Sequence, residues 1–268
     1  MQKKDQDFSE LRSKKILLAE DVELNQYLAK HFLEARGLKV WIACNGLEAI
    51  HLLSKDNFDC ILMDIQMPEM DGIQAAKEIR NLQDPCKASI PIIALTANVM
   101  SEDIEKYKEA GMNDFLAKPF DESALLLVIL RNQKGVNATQ QGIICSDNDL
   151  QNISEMSKLY DLSIVQSVSG GDKAFIRKMI LLFIETVPQN LAELNSALRS
   201  QNWEQLGKTA HKLKSTVDSM GIKSIHSDIR AVESNAKQQK NLQEIPAKVD
   251  KIVSVIDMCI EQLMQEIA

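Results

Sequence analysis

Five polar side chains in the first half of the chain each follow a short apolar run: Glu20, Asp21, Asp64, Thr96 and Lys118. Three carboxylates that are brought together repel one another unless a cation neutralises them or their pKa values rise. Hard oxygen ligands of this kind suit Mg²⁺ or Mn²⁺. A lysine adds a fixed positive charge and a threonine adds a hydroxyl donor, and phosphoryl transfer depends mainly on such positioning and electrostatics. The set therefore indicates metal-assisted phosphoryl chemistry.

His211 is a second candidate for this chemistry. It lies just off an apolar stripe that is typical of the buried seam of a helical bundle: Trp203, Leu206, Ala210, Leu213, Val217 and Met220. We therefore expect its ring to reach solvent. Gly207 and Ser215 leave steric room around the imidazole, and Lys214 places a positive charge beside an incoming phosphate. The other histidines lack such neighbours and are interpreted as residues without a role: His31, His51 and His226.

A parallel sheet would bring the polar side chains of the first half together. Apolar runs that read as buried parallel strands lie at 16–19, 40–43, 60–63, 91–95 and 115–117. Segments with helical period follow them at 25–36, 46–55, 72–82, 101–110 and 121–130. The pattern predicts an α/β fold with five βα units, in which chemistry collects beyond the carboxyl ends of the strands.

The second half of the chain reads as all-α. Residues 131–157 are rich in Asn, Gln, Gly, Ser and Asp, which marks a linker whose ends would lie about 25 to 30 Å apart as a flexible coil. Helical periods follow at 175–200, 203–220, 222–240 and 242–267, with a short leading helix at 159–168. This half predicts an antiparallel four-helix bundle.

Length and composition limit the class of protein. A chain of 268 residues, 45% hydrophobic and 26% charged, is long enough for two globular domains. A net charge of −7 argues against binding of nucleic acid. The five cysteines are scattered, and we find neither a signal peptide nor a membrane-spanning stretch. We therefore expect a cytoplasmic location without membrane insertion.

The first half resembles the receiver domain of two-component response regulators over about residues 13–131. The matching motifs are Glu20-Asp21 with Asn25, Met63-Asp64 with Met67-Pro68 and Asp71-Gly72, Thr96-Ala97 and Lys118-Pro119. The resemblance implies a flavodoxin-like, doubly wound (βα)5 sheet in which Asp64 is the phosphoacceptor. It implies a Mg²⁺ site made of Glu20, Asp21, Asp64 and the backbone carbonyl of Gln66. It also implies that Thr96 and Lys118 contact the phosphoryl group.

The same resemblance implies roles for four further residues. Phe115 matches the aromatic switch, whose side chain turns inward when Thr96 moves to the phosphate. The bond before Pro119 is expected to be cis. Gln66 and Asn98 occupy positions that tune the lifetime of the aspartyl phosphate.

The second half resembles a histidine-containing phosphotransfer (HPt) domain over about residues 157–263. The matching motifs are Ala210-His211-Lys212-Leu213-Lys214, Gly221, Val168-Ser169-Gly170-Gly171-Asp172 and Phe175. The resemblance implies that His211 is the phosphoacceptor and that Lys214 assists it. Ser215 stands where the family usually has glycine. Docking of a receiver should survive this change with altered affinity.

Together these expectations describe a phosphorelay protein. The predicted parts are a polar leader at 1–13, a receiver domain at 14–131, a linker at 132–156 and an HPt domain at 157–268. Phosphate would pass from an upstream sensor histidine kinase through Asp64 and His211 to the receiver domain of a downstream response regulator, without use of ATP by this chain. Transfer within one chain, at an effective concentration on the order of millimolar, and separate partners for each domain both stay open.

Three alternatives compete with this interpretation. The chain could be the C-terminal part of a hybrid sensor histidine kinase. An aspartyl phosphatase is discounted, because the second aspartate that such enzymes place two residues after the nucleophile is Gln66 here. A phosphorylation-independent scaffold predicts the loss of Asp64, Lys118 or His211, and all are present.

Overall fold

The computed structural model describes residues 8–96, 101–118, 120–133, 158–169 and 171–267. The chain divides into two compact units, Met1–Asp147 and Asn148–Ala268. Asn98, Pro119 and residues 134–156 of the predicted linker lie outside the described residues. Among the helices that are described, none is long and apolar enough to cross a bilayer.

The first unit contains a five-stranded parallel sheet. Its strands are β1 Lys15–Ala19, β2 Lys39–Ala43, β3 Cys60–Asp64, β4 Ile92–Thr96 and β5 Asp114–Ala117. Their order is β2-β1-β3-β4-β5, and every pairing is parallel. This doubly wound arrangement confirms the predicted α/β class, and no strand boundary differs from its predicted range by more than one residue.

The prediction of five buried strands is wrong for the two edges of the sheet. Strands β3 and β4 are buried at every residue, and β1 at every residue but Lys15. In β2 only Ala43 is buried, and in β5 only Leu116. An edge strand has a neighbour on one side only, so its side chains are covered less completely. Trp41 of β2 is half-buried and meets Phe58 edge-on, with ring centroids 5.5 Å apart.

Helices flank the sheet. They are α1 Glu23–Ala35, α2 Gly46–Lys55, α3 Gly72–Arg80, α4 Pro85–Ala88, α5 Ser101–Glu109 and α6 Glu122–Gln133. Side-chain caps fix several starts: Asn45 accepts from the Glu48 amide of α2, and Asp71 accepts from the Gln74 amide of α3. The short α4 was not predicted, although Asp84 caps it and proline stands in its first turn.

The second unit is helical. Its helices are α7 Ser163–Val168, α8 Lys173–Arg199, α9 Trp203–Ser219, α10 His226–Gln238 and α11 Ile245–Ile267. Helix α9 packs against α8 and α10, and α11 closes the bundle against the same two helices. This confirms the predicted four-helix bundle. Helices α10 and α11 begin four and three residues later than predicted, because the 3₁₀ turns Lys223–Ile225 and Leu242–Glu244 precede them.

Gly221 allows the segment before α7 to pack against the end of α9. Its φ is +63°, and a Cβ atom there would lie 2.5 Å from the Asp161 carbonyl oxygen. The Asp161 amide donates to the Met220 carbonyl at 3.1 Å. Any larger residue at Gly221 would therefore disturb this contact and strain the backbone.

Candidate functional site

The sheet brings the predicted polar residues to one edge. Strands β1, β3, β4 and β5 are neighbours in that order, and their register pairs Ala19 with Met63, Asp64 with Leu95, and Thr96 with Ala117. The residues that end or follow these strands are therefore adjacent. The convergence that the strand pattern predicted is confirmed.

Glu20, Asp21 and Asp64 form a cluster that we call the carboxylate cluster. One ligand oxygen from each lies within 4.8 Å of the other two. Glu20 and Asp64 are only 1% and 4% exposed, and Asp21 is half-buried. Such closely spaced, largely desolvated carboxylate oxygens match the donor set that Mg²⁺ binds in proteins. The geometry fits a divalent cation.

Lys118 bridges two members of the carboxylate cluster. Its Nζ donates to Glu20 Oε2 at 2.5 Å and to Asp64 Oδ2 at 2.7 Å. Although burial by itself would lower the pKa of Lys118, the Asp64 and Glu20 carboxylates hold it well above its ordinary value. Lys118 is therefore a fixed positive charge beside Asp64. One ammonium group leaves the three carboxylates with unbalanced negative charge.

Glu20 is positioned by its own loop and by α1. Its Oε1 accepts from the Val22 amide at 3.2 Å and from Asn25 Nδ2 at 3.1 Å. Burial raises the pKa of Glu20 to about 7, against the opposing effect of Lys118 and with a contribution from Asp64. The ionised form of Glu20 is thus costly without a further cation nearby. A bound divalent ion would favour that form.

Asp64 ends β3, where the backbone makes a tight return to α3. The Gly72 amide donates to the Ile65 carbonyl at 3.0 Å, and a Cβ atom at Gly72 would lie 2.1 Å from the Asp64 carbonyl oxygen. Only glycine fits this approach. The Gln66 amide faces Asp64 Oδ1 at 3.4 Å, so the loop after β3 turns back over the carboxylate.

Thr96 has a partner that the sequence did not indicate. Its Oγ1 lies 2.9 Å from the hydroxyl of Tyr107 in α5, and both residues are buried. Tyr107 belongs to the core cluster on which the half-buried Phe115 also packs. From the sequence alone Tyr107 is only an aromatic residue on a predicted helix, because its partner lies 11 positions away in another element.

His211 is buried, which corrects the expectation that its ring reaches solvent. The residue is 8% exposed, and its Nδ1 lies 2.7 Å from Glu233 Oε1 of α10. The helical stripe placed His211 correctly beside the seam. However, α10 packs over that face of α9 and covers most of the ring.

Glu233 is the residue that sequence reasoning missed at this site. Its Oε2 accepts from Lys214 Nζ and its Oε1 from Lys237 Nζ, both at 2.7 Å. Burial by itself would raise the pKa of Glu233, but His211 and then Lys214 hold it well below its ordinary value of 4.5. Lys214 therefore contacts the Glu233 carboxylate, whereas the sequence predicted that it would contact an incoming phosphate. The spacing from Glu233 to Lys237 on one helical face was the one available signal.

Gly207 does not provide room around the imidazole as predicted. A Cβ atom there would lie 3.2 Å from Lys237 Cγ and 3.7 Å from Ala236 Cβ. Gly207 therefore allows α9 and α10 to approach closely. Ser215, the second small neighbour, is 7% exposed, and its carbonyl accepts from the Ser219 hydroxyl at 3.0 Å.

Two family models match the chain. Residues 16–130 match the response regulator receiver domain, and residues 178–267 match the Hpt domain. The chain carries a receiver domain followed by an Hpt domain. The carboxylate cluster lies in the receiver domain, and His211 with Glu233 lies in the Hpt domain. Neither matched model is a kinase domain.

Known relatives match almost the whole length of the chain. The aerobic respiration control sensor protein ArcB of Escherichia coli is 27% identical over 98% of this chain, and the histidine-protein kinase BarA of Shigella flexneri is 27% identical over 90%. The chain spans 32% of ArcB and 26% of BarA. The crystal structure of a Pseudomonas aeruginosa sensor kinase receiver domain is 37% identical, with a TM-score of 0.43, and the match covers 46% of this chain and 99% of that one.

The presence of a receiver domain and an Hpt domain assigns the chain to phosphorelay signalling. In general terms, such a protein exchanges phosphate with a histidine kinase and a response regulator. The receiver domain combines a buried aspartate with a fixed ammonium group and an acidic cluster. The Hpt domain combines an imidazole with a carboxylate that orients it.

Proposed function

We propose that the chain is a phosphotransfer intermediate, with Asp64 of the receiver domain and His211 of the Hpt domain as its two phosphoacceptors. The observation that carries this proposal is the pairing, on one chain, of a lysine-bridged aspartate and a carboxylate-oriented histidine. Phosphate would pass between a histidine kinase and a downstream response regulator. The chain would not itself consume ATP.

The surroundings of Asp64 support its role as nucleophile. One carboxylate oxygen forms a bond to phosphorus as the bond between phosphorus and the donor breaks. Lys118 stays beside the reacting carboxylate and offsets the incoming charge, and Thr96 offers a hydroxyl donor. Mg²⁺ held by Glu20, Asp21, Asp64 and the Gln66 carbonyl would neutralise charge on the phosphoryl oxygens, and Mn²⁺ would suit the same ligands.

The Glu233 contact supports phosphorylation of His211 at Nε2. An ionised carboxylate only accepts hydrogen bonds, so Nδ1 carries the proton that is shared with Glu233. In the neutral ring, Nε2 then holds the lone pair that attacks phosphorus. Glu233 also favours the positive charge that the ring gains as the bond forms. We assign Lys214 to holding Glu233, with its predicted phosphate contact as a second role.

The domain limits remain those that the sequence indicates: a leader at 1–13, a receiver domain at 14–131, a linker at 132–156 and an Hpt domain at 157–268. The similarity to ArcB and BarA is equally compatible with a part of a hybrid sensor kinase. In both cases the two sites perform the same chemistry. We place this chemistry in the cytoplasm, consistent with the free thiols of Cys44, Cys60, Cys86 and Cys259.

Intact mass after incubation with acetyl phosphate and Mg²⁺ tests the proposal. Wild type, Asp64→Asn and His211→Ala are compared, and acid and alkali lability assign the phosphorylated side chain. Asp56→Asn, at a half-buried residue outside the carboxylate cluster, and His51→Ala, at an exposed residue, serve as matched controls. We expect no phosphate on Asp64→Asn. In His211→Ala we expect phosphate on the aspartate and none on histidine.

A mixture of Asp64→Asn and His211→Ala distinguishes transfer within a chain from transfer between chains, since the two variants differ in mass. Histidine phosphate on the Asp64→Asn chain would demonstrate transfer between chains. If wild type gains no phosphate under conditions that label a control receiver domain, the proposed function is wrong.

A further inference from the structure

Tyr107 of helix α5 forms a hydrogen bond with the Thr96 hydroxyl at the end of β4. Its ring is buried in the core, 5% exposed, and its hydroxyl lies 2.9 Å from Thr96 Oγ1. Thr96 ends β4 beside β3, the strand that ends in Asp64. The contact therefore connects helix α5 to the edge of the sheet where the phosphoryl group would bind.

The chemistry of the two hydroxyls favours one direction of this hydrogen bond. Each can donate one proton and accept through its oxygen. A phenol is the stronger acid, so it is the better donor, whereas the aliphatic Thr96 oxygen is the better acceptor. Burial raises the pKa of Tyr107, which keeps the phenol protonated. The favoured arrangement has Tyr107 donating to Thr96.

We propose that Tyr107 is a positioning residue for phosphoryl transfer: by donating to Thr96 Oγ1, it leaves the Thr96 proton directed toward a phosphoryl oxygen on Asp64. The inference rests on the proposed function of Asp64. A chain of hydrogen bonds from Tyr107 through Thr96 to the phosphoryl group polarises each member and strengthens the last bond. Tyr107 touches neither substrate nor metal and acts only through Thr96.

The same hydrogen bond gives α5 a direct connection to the phosphorylated state. If Thr96 shifts toward the phosphoryl group, Tyr107 must follow or lengthen its bond, and α5 carries Tyr107. Phe115 packs on the core cluster to which Tyr107 belongs, so both aromatic rings adjoin the same group of buried side chains. Tyr107 therefore adds a second aromatic residue to the switch that was predicted for Phe115.

The test measures labelling of Asp64 by acetyl phosphate in the full-length chain that carries His211→Ala, which keeps the phosphate on the aspartate. Tyr107→Phe, Thr96→Val and the double variant are compared by intact mass over time. Tyr160→Phe, which removes a phenol hydroxyl from the other domain, is the matched control. The Mg²⁺ concentration for half-maximal labelling reports whether the carboxylate cluster is intact.

We expect Tyr107→Phe to slow labelling about 3- to 10-fold, the range that the loss of one hydrogen bond produces. Its Mg²⁺ dependence should match that of wild type, and the double variant should label at the rate of Thr96→Val alone. A wild-type rate in Tyr107→Phe, or an equal slowing by Tyr107→Phe in the Thr96→Val background, would overturn the inference. Failure of every chain to label would instead count against the proposed function.

Discussion

The receiver site and the Hpt site balance their charges in opposite ways. The carboxylate cluster sets three acidic groups against Lys118, whereas in the Hpt domain Glu233 alone faces the ammonium groups of Lys214 and Lys237. The first site is short of positive charge, and on the function that we propose it takes a cation from solution. The second carries its cations on its own helices. The two phosphoacceptors should therefore differ in their dependence on metal.

The two sites also differ in what holds them in place. Asp64 is fixed by backbone, since β3 and α3 meet at Gly72 with no room for a side chain. His211 is fixed by a side chain, because Glu233 comes from the neighbouring helix. The backbone approach leaves room for glycine alone, whereas the side-chain contact is lost when either of its partners is removed. The predictions that follow test both differences.

The largest effect is expected from Glu233→Ala. The change leaves the buried Lys214 ammonium without its carboxylate, and loss of one member of a buried pair costs about 3 to 5 kcal/mol of unfolding free energy. Denaturant unfolding measures this, and histidine labelling should fall as well. Glu204→Ala, which removes the exposed partner of Lys208 on α9, is the control and should leave both unchanged. Equal losses of unfolding free energy and of histidine labelling in the two variants would contradict the special role of Glu233.

Gly72→Ala should be the next most damaging change. A methyl group would meet the Asp64 carbonyl oxygen at 2.1 Å, so the backbone must shift. We expect a loss of about 2 to 3 kcal/mol, together with slower labelling of Asp64. Gly207→Ala is the matched control, because the atom nearest to its methyl group, at 3.2 Å, belongs to the flexible Lys237 side chain. Alanine is also a better helix former than glycine, by less than about 1 kcal/mol, and this gain would offset part of the cost of that contact. If Gly72→Ala changes the unfolding free energy no more than Gly207→Ala does, the turn between β3 and α3 can adapt to a side chain.

Mg²⁺ should stabilise only the receiver domain. Binding to the carboxylate cluster raises the free energy of unfolding by about 2.7 kcal/mol at a concentration one hundred times the Kd. Thermal unfolding of the full chain, with and without EDTA, should show one transition that moves and one that does not. Asp21→Asn should reduce the shift. Movement of the transition that Glu233→Ala also affects would contradict the metal-independence of the Hpt site.

The smallest effect is expected from acid. The pKa of Glu233 in the folded protein lies below its ordinary value of 4.5, so its stabilising contribution is complete above pH 4.5 and is lost as the pH falls toward the folded pKa. The stability difference between wild type and Glu233→Gln should therefore be constant near neutrality and shrink below pH 4.5. Urea unfolding of both proteins across that range measures it. A difference that stays constant down to pH 3, roughly, would contradict the lowered pKa.

Sequence patterns were sufficient to predict every strand, every helix but the short α4, and the meeting of the receiver-site residues at one edge of the sheet. Polar residues after apolar runs identified Asp64 and Lys118, because parallel strands of known order bring their carboxyl ends together. The helical stripe identified α9 as a bundle helix with His211 beside its seam. In both cases the information lies within one element or in a topology that leaves few choices.

Contacts between elements could not be predicted in the same way. Glu233 is 22 positions from His211, and Tyr107 is 11 positions from Thr96. Their meeting depends on how α10 rotates against α9 and how α5 packs on the sheet. The prediction that the His211 ring reaches solvent was wrong for this reason, because the pattern of a single helix gives no information about which element covers it.

The bridge from Lys118 to Glu20 and Asp64 has a consequence for the life of the protein between signals. The ammonium group already neutralises part of the negative charge that a metal ion would neutralise, so the strand ends keep their arrangement before phosphorylation. Folding and the supply of metal are thereby separated. On the function that we propose, a newly made chain can fold first, and the magnesium concentration of its surroundings then sets how readily it reacts with a phosphoryl donor.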